Sequence, residues 1–219
     1  MPVKIILIDD HPIVRQGLKQ IIEIEKDFIV CGEAGNANDA IKLAGELLPD
    51  LMVVDISLDG DINGIELVKA LKDRFPKIHT LVLSMHNEAL YAERAIRAGA
   101  RGYIIKKEAT KNIVDILRKI MNGEIFLSES VSGKIIGKLL HGSSDTVGSS
   151  IGSLTDREFE VFQLIGNGFT TREISEKLNL SINTVESHKR NIKEKLQLKS
   201  STELVKHAVQ WTLSQDKMD

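Results

Sequence analysis

The chain has 219 residues, 42% hydrophobic and 4% aromatic, with a formal net charge of −2. That length suits two domains that each bury a core, and the balanced charge excludes a uniformly basic coat, so any nucleic-acid site must be local. A lone cysteine, Cys31, precludes an internal disulfide and reads as a small buried hydrophobe in an apolar, strand-like run. No apolar stretch reaches the roughly 18 residues of a membrane span. The opening MPVKIILIDDHP meets two acids before an export-type segment can form, so a cytoplasmic protein with no membrane partner is expected.

Up to residue 127, short apolar runs alternate with longer amphipathic ones, the pattern of a parallel sheet covered by helices. Strands are predicted at Lys4–Ile8, Phe28–Gly32, Leu51–Val54, Thr80–Leu83 and Gly102–Ile105, with helices between them. The expected class is α/β, a doubly wound (βα)5 parallel sheet. In the last helix Ile113, Ile116, Leu117 and Ile120 recur at i, i+3, i+4 and i+7, a one-faced stripe that Gly123 ends.

The ends of these strands carry reactive groups. Asp9 and Asp10 follow the first, Asp55 the third, Ser84 the fourth and Lys106 the fifth. In open parallel α/β sheets the carboxyl ends of strands line the ligand crevice. Three carboxylates with no cysteine or histidine partner read as a hard oxygen site, suited to Mg²⁺ rather than zinc. A carboxylate nucleophile beside such an ion can form an acyl phosphate. That reading makes Asp55 the acceptor, Asp10 a direct metal ligand and Asp9 a ligand through water. Lys106 supplies a point charge for the phosphoryl group, and Ser84 a hydroxyl donor. The plainer alternative, that Asp9 and Asp10 only favour the start of the next helix, leaves Ser84 and Lys106 unexplained.

From Ser128 the composition turns to Ser and Gly, with one predicted helix over Lys134–Leu140 and then HGSSDTVGSSIGS. That segment has almost nothing to bury and reads as a flexible linker spanning roughly 20 Å root-mean-square. Beyond it, Thr155 and Glu158 form a capping box that starts a helix running to Asn167. Thr170 and Glu173 repeat the device, and Ser181 caps a third helix after a turn at Asn179–Ser181, a helix-turn-helix spacing. A fourth helix, Thr202–Trp211, completes a small all-α domain.

On the third helix Val185, Ile192 and Leu196 share one face and point to the core. The opposite face holds Asn183, Ser187, Arg190 and Glu194, with Glu186 at its edge, groups able to meet base edges in a major groove. Lys189, Lys193, Lys195 and Lys199 flank it, where phosphates would run. His188 projects toward the apolar side and is expected to be partly packed. A nearly neutral domain binds weakly as one copy, so a homodimer on double-stranded promoter half-sites is expected.

These residues resemble a bacterial two-component response regulator of the NarL/FixJ type over essentially the whole chain. Asp9-Asp10-His11-Pro12, Asp55, Ser84 and Gly102-Tyr103-Ile104-Ile105-Lys106 are similar to a receiver domain. Leu154-Thr155-x-Arg157-Glu158, Glu173-Ile174, Ser181-x-x-Thr184-Val185, His188 and Lys195-Leu196 are similar to a LuxR-type helix-turn-helix. The resemblance implies a receiver over residues 1–127, a linker over 128–152 and a DNA-binding domain over 153–219. It also implies that the backbone carbonyl of Ser57 joins the magnesium ligands and that Tyr103 is an aromatic switch responding to Ser84. A sensor histidine kinase or a small phosphodonor would phosphorylate Asp55. DNA contacts would fall to Asn183, Thr184, Glu186, Ser187, Lys189, Arg190, Lys193 and Lys199.

The chain departs from the family in two places. The proline usual four residues after the acceptor is missing from Leu58-Asp59-Gly60-Asp61-Ile62-Asn63-Gly64, which is one residue longer and carries extra acids. Ser200-Ser201 stands where the family commonly has Asn-Arg. The altered loop motivates a rival, an unphosphorylated receiver serving as a fixed dimerisation or ligand-sensing module. An enzymatic rival, an aspartyl phosphatase, would need a second acid two residues after the nucleophile, where Ser57 stands. The protein is therefore expected not to be an enzyme.

Overall fold

The computed structural model describes residues 1–58, 60, 62–85, 89–128, 131–133 and 151–216. Asp59, Asp61, the helix expected over Lys134–Leu140 and most of the expected linker fall outside the described residues. The chain divides into two compact units, residues 1–137 and 138–219.

The first unit alternates strand and helix: β1 Val3–Ile8, α1 Pro12–Ile22, β2 Phe28–Ala34, α2 Ala37–Leu47, β3 Leu51–Asp55, α3 Gly64–Arg74, β4 His79–Ser84, α4 Ala89–Ala98, β5 Gly102–Ile105 and α5 Lys106–Met121. With a further strand, β6 at Phe126–Leu127, all strand pairs are parallel, in the order β2-β1-β3-β4-β5-β6. The sixth strand, β6 at Phe126–Leu127, was not expected: two residues show no periodicity, and its pairing with Gly102 and Tyr103 is a tertiary event. Central strands covered on both faces read as continuous apolar runs, and all five residues of β3 are buried. The Ile113, Ile116, Leu117 and Ile120 stripe of α5 packs into one core with Leu7, Leu51, Leu81 and Ile104.

Register brings the reactive strand ends together. Ile8 pairs with Val54, so Asp9 lies beside Asp55. Asp55 pairs with Leu83 and Ser84 with Ile105, so Ser84 and Lys106 follow on the next two strands. Helix α3 starts on a capping box: Asn63 Oδ1 accepts from the Glu66 amide at 3.0 Å and Glu66 Oε2 from the Asn63 amide at 3.2 Å. Its first residue, Gly64, lies against the Asp55–Ile56 backbone, where a Cβ would sit 2.0 Å from the Asp55 carbonyl oxygen.

The second unit contains α6 Asp156–Gly166, α7 Thr171–Lys177, α8 Ile182–Lys195 and α9 Ser201–Asp216. Both expected capping boxes form, at Thr155/Glu158 and Thr170/Glu173, and Ser181 Oγ accepts from the Thr184 amide at 3.0 Å. Asn179 holds φ at 50°, a left-handed turn residue that sets the angle between α7 and α8. Arg157 cross-links this turn from below, donating to the Leu178 carbonyl at 3.0 Å and pairing with Glu160 at 2.7 Å. Phe159 meets Trp211 edge to face with centroids 5.3 Å apart. Helix α9 runs past the expected Trp211 to Asp216.

Gly166 faces α9 at close range: a Cβ there would lie 2.3 Å from Thr212 Oγ1 and 2.7 Å from the Ala208 carbonyl oxygen. Gly166→Ala should therefore destabilise the C-terminal unit by about 1–3 kcal/mol, read as a lower urea midpoint at unchanged slope. An unchanged midpoint would mean that α9 can move away without loss.

Candidate functional site

Asp9 and Asp55 are each about 1% exposed at the carboxyl end of the sheet. Lys106, the first residue of α5, extends back across β4 and places its Nζ 2.7 Å from Asp55 Oδ2 and 2.8 Å from Asp9 Oδ2. The Asp55 contact is a hydrogen bond and the Asp9 contact an ion pair; among the described residues, Asp9 Oδ2 and Asp55 Oδ1 find no hydrogen-bond partner. Asp9 is fixed from its other side by the His11 amide, which donates to Oδ1 at 2.8 Å. Arg15 donates to the Asp9 carbonyl.

Burial dominates the protonation of Asp55 and, with repulsion from Asp9, pushes its pKa up to about 6 against the pull of Lys106. For Lys106 burial acts to lower the pKa, but the charges of Asp55 and Asp9 and the hydrogen bond to Asp55 outweigh it, and the pKa is raised. A buried carboxyl whose pKa is raised this far beside a lysine is a perturbed group of the kind that clusters at functional sites.

Ser84 and Tyr103 are both fully buried, on neighbouring strands β4 and β5, and Ser57 is half-buried two residues beyond Asp55. The expectation of an acidic site with no histidine partner does not hold. The acidic cluster does have a histidine neighbour: His11 Nδ1 lies 2.6 Å from Asp10 Oδ1 and 3.4 Å from Asp9 Oδ1. Ligand atoms of Asp9, Asp10, His11 and Asp55 all fall within 4.8 Å of one another.

On α8 Val185 and Ile192 are fully buried and Leu196 nearly so, as the wheel required. His188 is half-buried, and burial followed by the charge of Arg157 lowers its pKa. Asn183, Ser187, Arg190 and Glu194 are exposed. Glu186 and Lys189 are engaged within the unit. Glu186 Oε1 accepts from Thr171 Oγ1 at 2.9 Å and from Lys189 Nζ at 2.8 Å, and Lys189 Nζ also reaches Thr171 Oγ1 at 2.9 Å. This triangle ties the start of α7 to α8.

Thr184 is tied to Ser181, with their hydroxyls 2.8 Å apart. Arg190 has no hydrogen-bond or ion-pair partner among the described residues. Lys193 is half-buried and Lys199 exposed, its amide donating to Glu203 Oε2 at 2.7 Å. Lys195 is bonded at 2.6 Å to Glu158. Burial raises the Glu158 pKa, but the Lys195 and Thr155 hydrogen bonds outweigh it and hold the carboxyl below its ordinary range. Ser200 caps α9 by accepting from the Glu203 amide at 3.1 Å, a use for the residue that replaces the family's asparagine.

A parallel α/β unit with acids, a hydroxyl and a lysine at adjacent strand ends, followed by a helix-turn-helix unit, defines a class: receiver-controlled regulators. The chain belongs to the two-component response regulators. Its residues 5–118 match the response regulator receiver domain and residues 152–208 match the bacterial regulatory proteins of the luxR family. It is similar to the oxygen regulatory protein NreC of Staphylococcus haemolyticus strain JCSC1435, 32% identical over 209 residues that cover 94% of this chain and 96% of NreC. NreC of Staphylococcus carnosus strain TM300 is 30% identical over the same shares. Among solved structures, the RcsB response regulator of Salmonella typhimurium matches with a TM-score of 0.66 at 28% identity, covering 95% of this chain and 98% of RcsB. An RcsB–DNA complex matches at 0.59 and 29% identity, covering 94% and 98%. The NarL/FixJ resemblance and the expected fold class therefore hold. Among the described residues no helix is long and apolar enough to cross a membrane.

Proposed function

We propose that this response regulator is a transcription factor switched by phosphorylation of Asp55, with residues 1–127 as receiver, 128–152 as linker and 153–219 as DNA-binding domain. The observation that carries the reading is the bridge of Lys106 between the buried carboxylates of Asp9 and Asp55, with Asp55 Oδ1 finding no hydrogen-bond partner among the described residues. Buried polar atoms in folded proteins are nearly always partnered. An orphan carboxylate oxygen among further acids fits a hard divalent cation, so Mg²⁺ would be held by Asp10, Asp55 and the Ser57 carbonyl, with Asp9 acting through water. When bound, Mg²⁺ supplies charge neutralisation for the phosphoryl oxygens.

The residues of the chain do the rest. An oxygen of Asp55 attacks phosphorus, and the bond to the donor breaks, to a histidine nitrogen of the sensor kinase or to an acetate oxygen of acetyl phosphate. Lys106 exchanges part of its pairing with Asp55 for the phosphoryl oxygens, and Ser84 donates its hydroxyl hydrogen bond. Movement of Ser84 and Tyr103 on neighbouring strands then shifts the receiver surface toward a form that favours a homodimer and frees the DNA-binding domain for paired promoter half-sites. Incubation with acetyl phosphate and Mg²⁺ should add one phosphoryl group, mapped by mass spectrometry to the peptide containing Asp55. No incorporation under conditions that modify other receivers would favour the unphosphorylated, fixed-module reading.

In the DNA-binding domain Arg190 is the strongest candidate base reader, being exposed and without a partner among the described residues. Asn183 and Ser187 share its face, Thr184, Glu186 and Lys189 position the helix as well as facing DNA, and Lys193 and Lys199 meet phosphates. Arg190→Ala should cost about 1–3 kcal/mol on the cognate site alone, while Lys193→Ala should weaken all sequences alike and reduce the salt slope by about one. Equal losses on cognate and random DNA would make Arg190 a phosphate contact.

A further inference from the structure

At the amino end of the sheet, opposite Asp55, the first unit holds a cavity of about 260 Å³. His79 opens β4 there, Thr80 follows it, and Arg101 stands one residue before β5. Lys72, in the last turn of α3, lines the same cavity. Its stem lies across Gly99, just beyond α4, where an added Cβ would meet Lys72 Cδ at 2.4 Å. Ile78 and Ile96 supply apolar lining, and no described acidic residue lines the cavity. Among the described residues, the side chains of Lys72 and Arg101 have no hydrogen-bond or ion-pair partner, and the hydroxyl of Thr80, itself 3% exposed, has none either. Burial and then the charge of Arg101 lower the His79 pKa against the pull of Asp50, so at pH 7 this imidazole is neutral and offers a hydrogen bond rather than a third charge. The carbonyl ends of α3 and α4 favour cations nearby. That explains basic residues at helix ends, but not a cavity that they share with a histidine, a buried hydroxyl and an apolar wall.

We infer that this cavity binds a small organic phosphate, its phosphate held between Lys72 and Arg101 and its carbon body set against Ile78 and Ile96. A phosphate monoester carries about two negative charges at pH 7, which the two cations balance. The Arg101 guanidinium can meet two of its oxygens as a fork, and Lys72 adds a point charge. Thr80 and His79 are placed to donate to the oxygens that remain. A monocarboxylate of the same size would leave one of the cations unmatched. The volume suits a small metabolite, lying just below the roughly 300 Å³ at which ordinary small-molecule sites begin. The site lies at the far end of the sheet from the acidic cluster, and nothing in it depends on phosphorylation of Asp55.

The test follows the amide resonances of the full, isotope-labelled chain, free of divalent ions, as phenyl phosphate, inorganic phosphate and benzoate are added separately. Phenyl phosphate should shift the amides of His79, Thr80 and Arg101 in a saturable way. It should bind roughly tenfold more tightly than inorganic phosphate, because its ring buries apolar surface, and more tightly than benzoate, which brings one charge. Arg101→Gln and Lys72→Gln should each weaken it roughly tenfold, the scale of one lost charge-assisted hydrogen bond. Lys77→Gln, an exposed lysine outside the cavity, should stay within about twofold of wild type. Both cavity variants should fold, since the two side chains are exposed and the bonds of Arg101 to Thr80 and Phe126 are made by its backbone. No shift at these amides, shifts confined to the residues around Asp55 and Lys106, or losses as large in Lys77→Gln would overturn the site. Benzoate or inorganic phosphate binding as tightly as phenyl phosphate would overturn the assignment of an organic phosphate.

Discussion

Asp55→Asn should abolish phosphate incorporation from acetyl phosphate and Mg²⁺ and also change how receiver stability depends on pH. The folded state holds the Asp55 proton more tightly than the unfolded chain, with a pKa of about 6 against an ordinary 3.8. Stability from this group is therefore fully present below about pH 4 and is lost as pH rises through about 6. Converted at 1.36 kcal/mol per unit, the loss between pH 4 and 7 is at most about 3 kcal/mol. The Asn variant has no such titration, and Lys106 keeps its ion pair with Asp9 at 2.8 Å. The stability difference, variant minus wild type, should thus rise from pH 4 to 7 in the absence of divalent ions. Adding Mg²⁺ should reverse the trend by stabilising only the wild-type carboxylate. Urea unfolding across this pH range decides the matter. A flat difference would mean that burial does not destabilise the Asp55 carboxylate. The same titration bears on labelling, since only the ionised carboxylate is nucleophilic: at limiting Mg²⁺ the rate should climb with pH through about 6.

Gly64→Ala should be nearly as damaging without touching a reactive group. An added Cβ would stand 2.0 Å from the Asp55 carbonyl oxygen and 2.7 Å from Ile56 Cα, both backbone atoms that cannot rotate away. The Gly64 amide is bonded to the Ile56 carbonyl at 2.8 Å, so either α3 shifts and loses that bond or the end of β3 is displaced. Overpacking against backbone typically costs about 1–3 kcal/mol. A displacement of about 1 Å at the acceptor costs roughly a hundredfold in rate. Labelling of Gly64→Ala should therefore fall far more than that of a variant of similar stability altered on the far side of the sheet. Labelling at the wild-type rate would mean that Asp55 is not positioned by this contact.

Much of this site was legible from residue order alone, because a parallel sheet sends every strand's carboxyl end to one edge. Asp9, Asp55, Ser84 and Lys106 each ended or followed an apolar run, and the strand pairing then needed no further information to gather them. The capping boxes at Thr155 and Thr170 were equally visible, since both partners lie three residues apart. What escaped were contacts that depend on side-chain direction or on distant pairing. β6 exists only because Phe126 and Leu127 reach β5. The sequence places His11 next to Asp10 but does not show that its ring turns to bond the Asp10 carboxylate. A helical wheel places Glu186 at the edge of the groove face and Lys189 on its flank, but a wheel of α8 alone cannot show Thr171 on α7 completing their triangle. Gly64 carried no signal beyond being a glycine near a helix start.

The central claim is that charge at Asp55 controls the DNA reader. It is tested most directly by the affinity of the full chain for a selected promoter site with and without acetyl phosphate and Mg²⁺, in wild type and Asp55→Asn, at fixed salt because phosphate contacts make affinity salt-dependent. The phosphodonor should tighten binding by wild type roughly tenfold or more, within the usual range of 1–3 kcal/mol for coupling between sites, and leave Asp55→Asn unchanged. Equal affinity in all four conditions, with incorporation at Asp55 verified in the same samples, would contradict it.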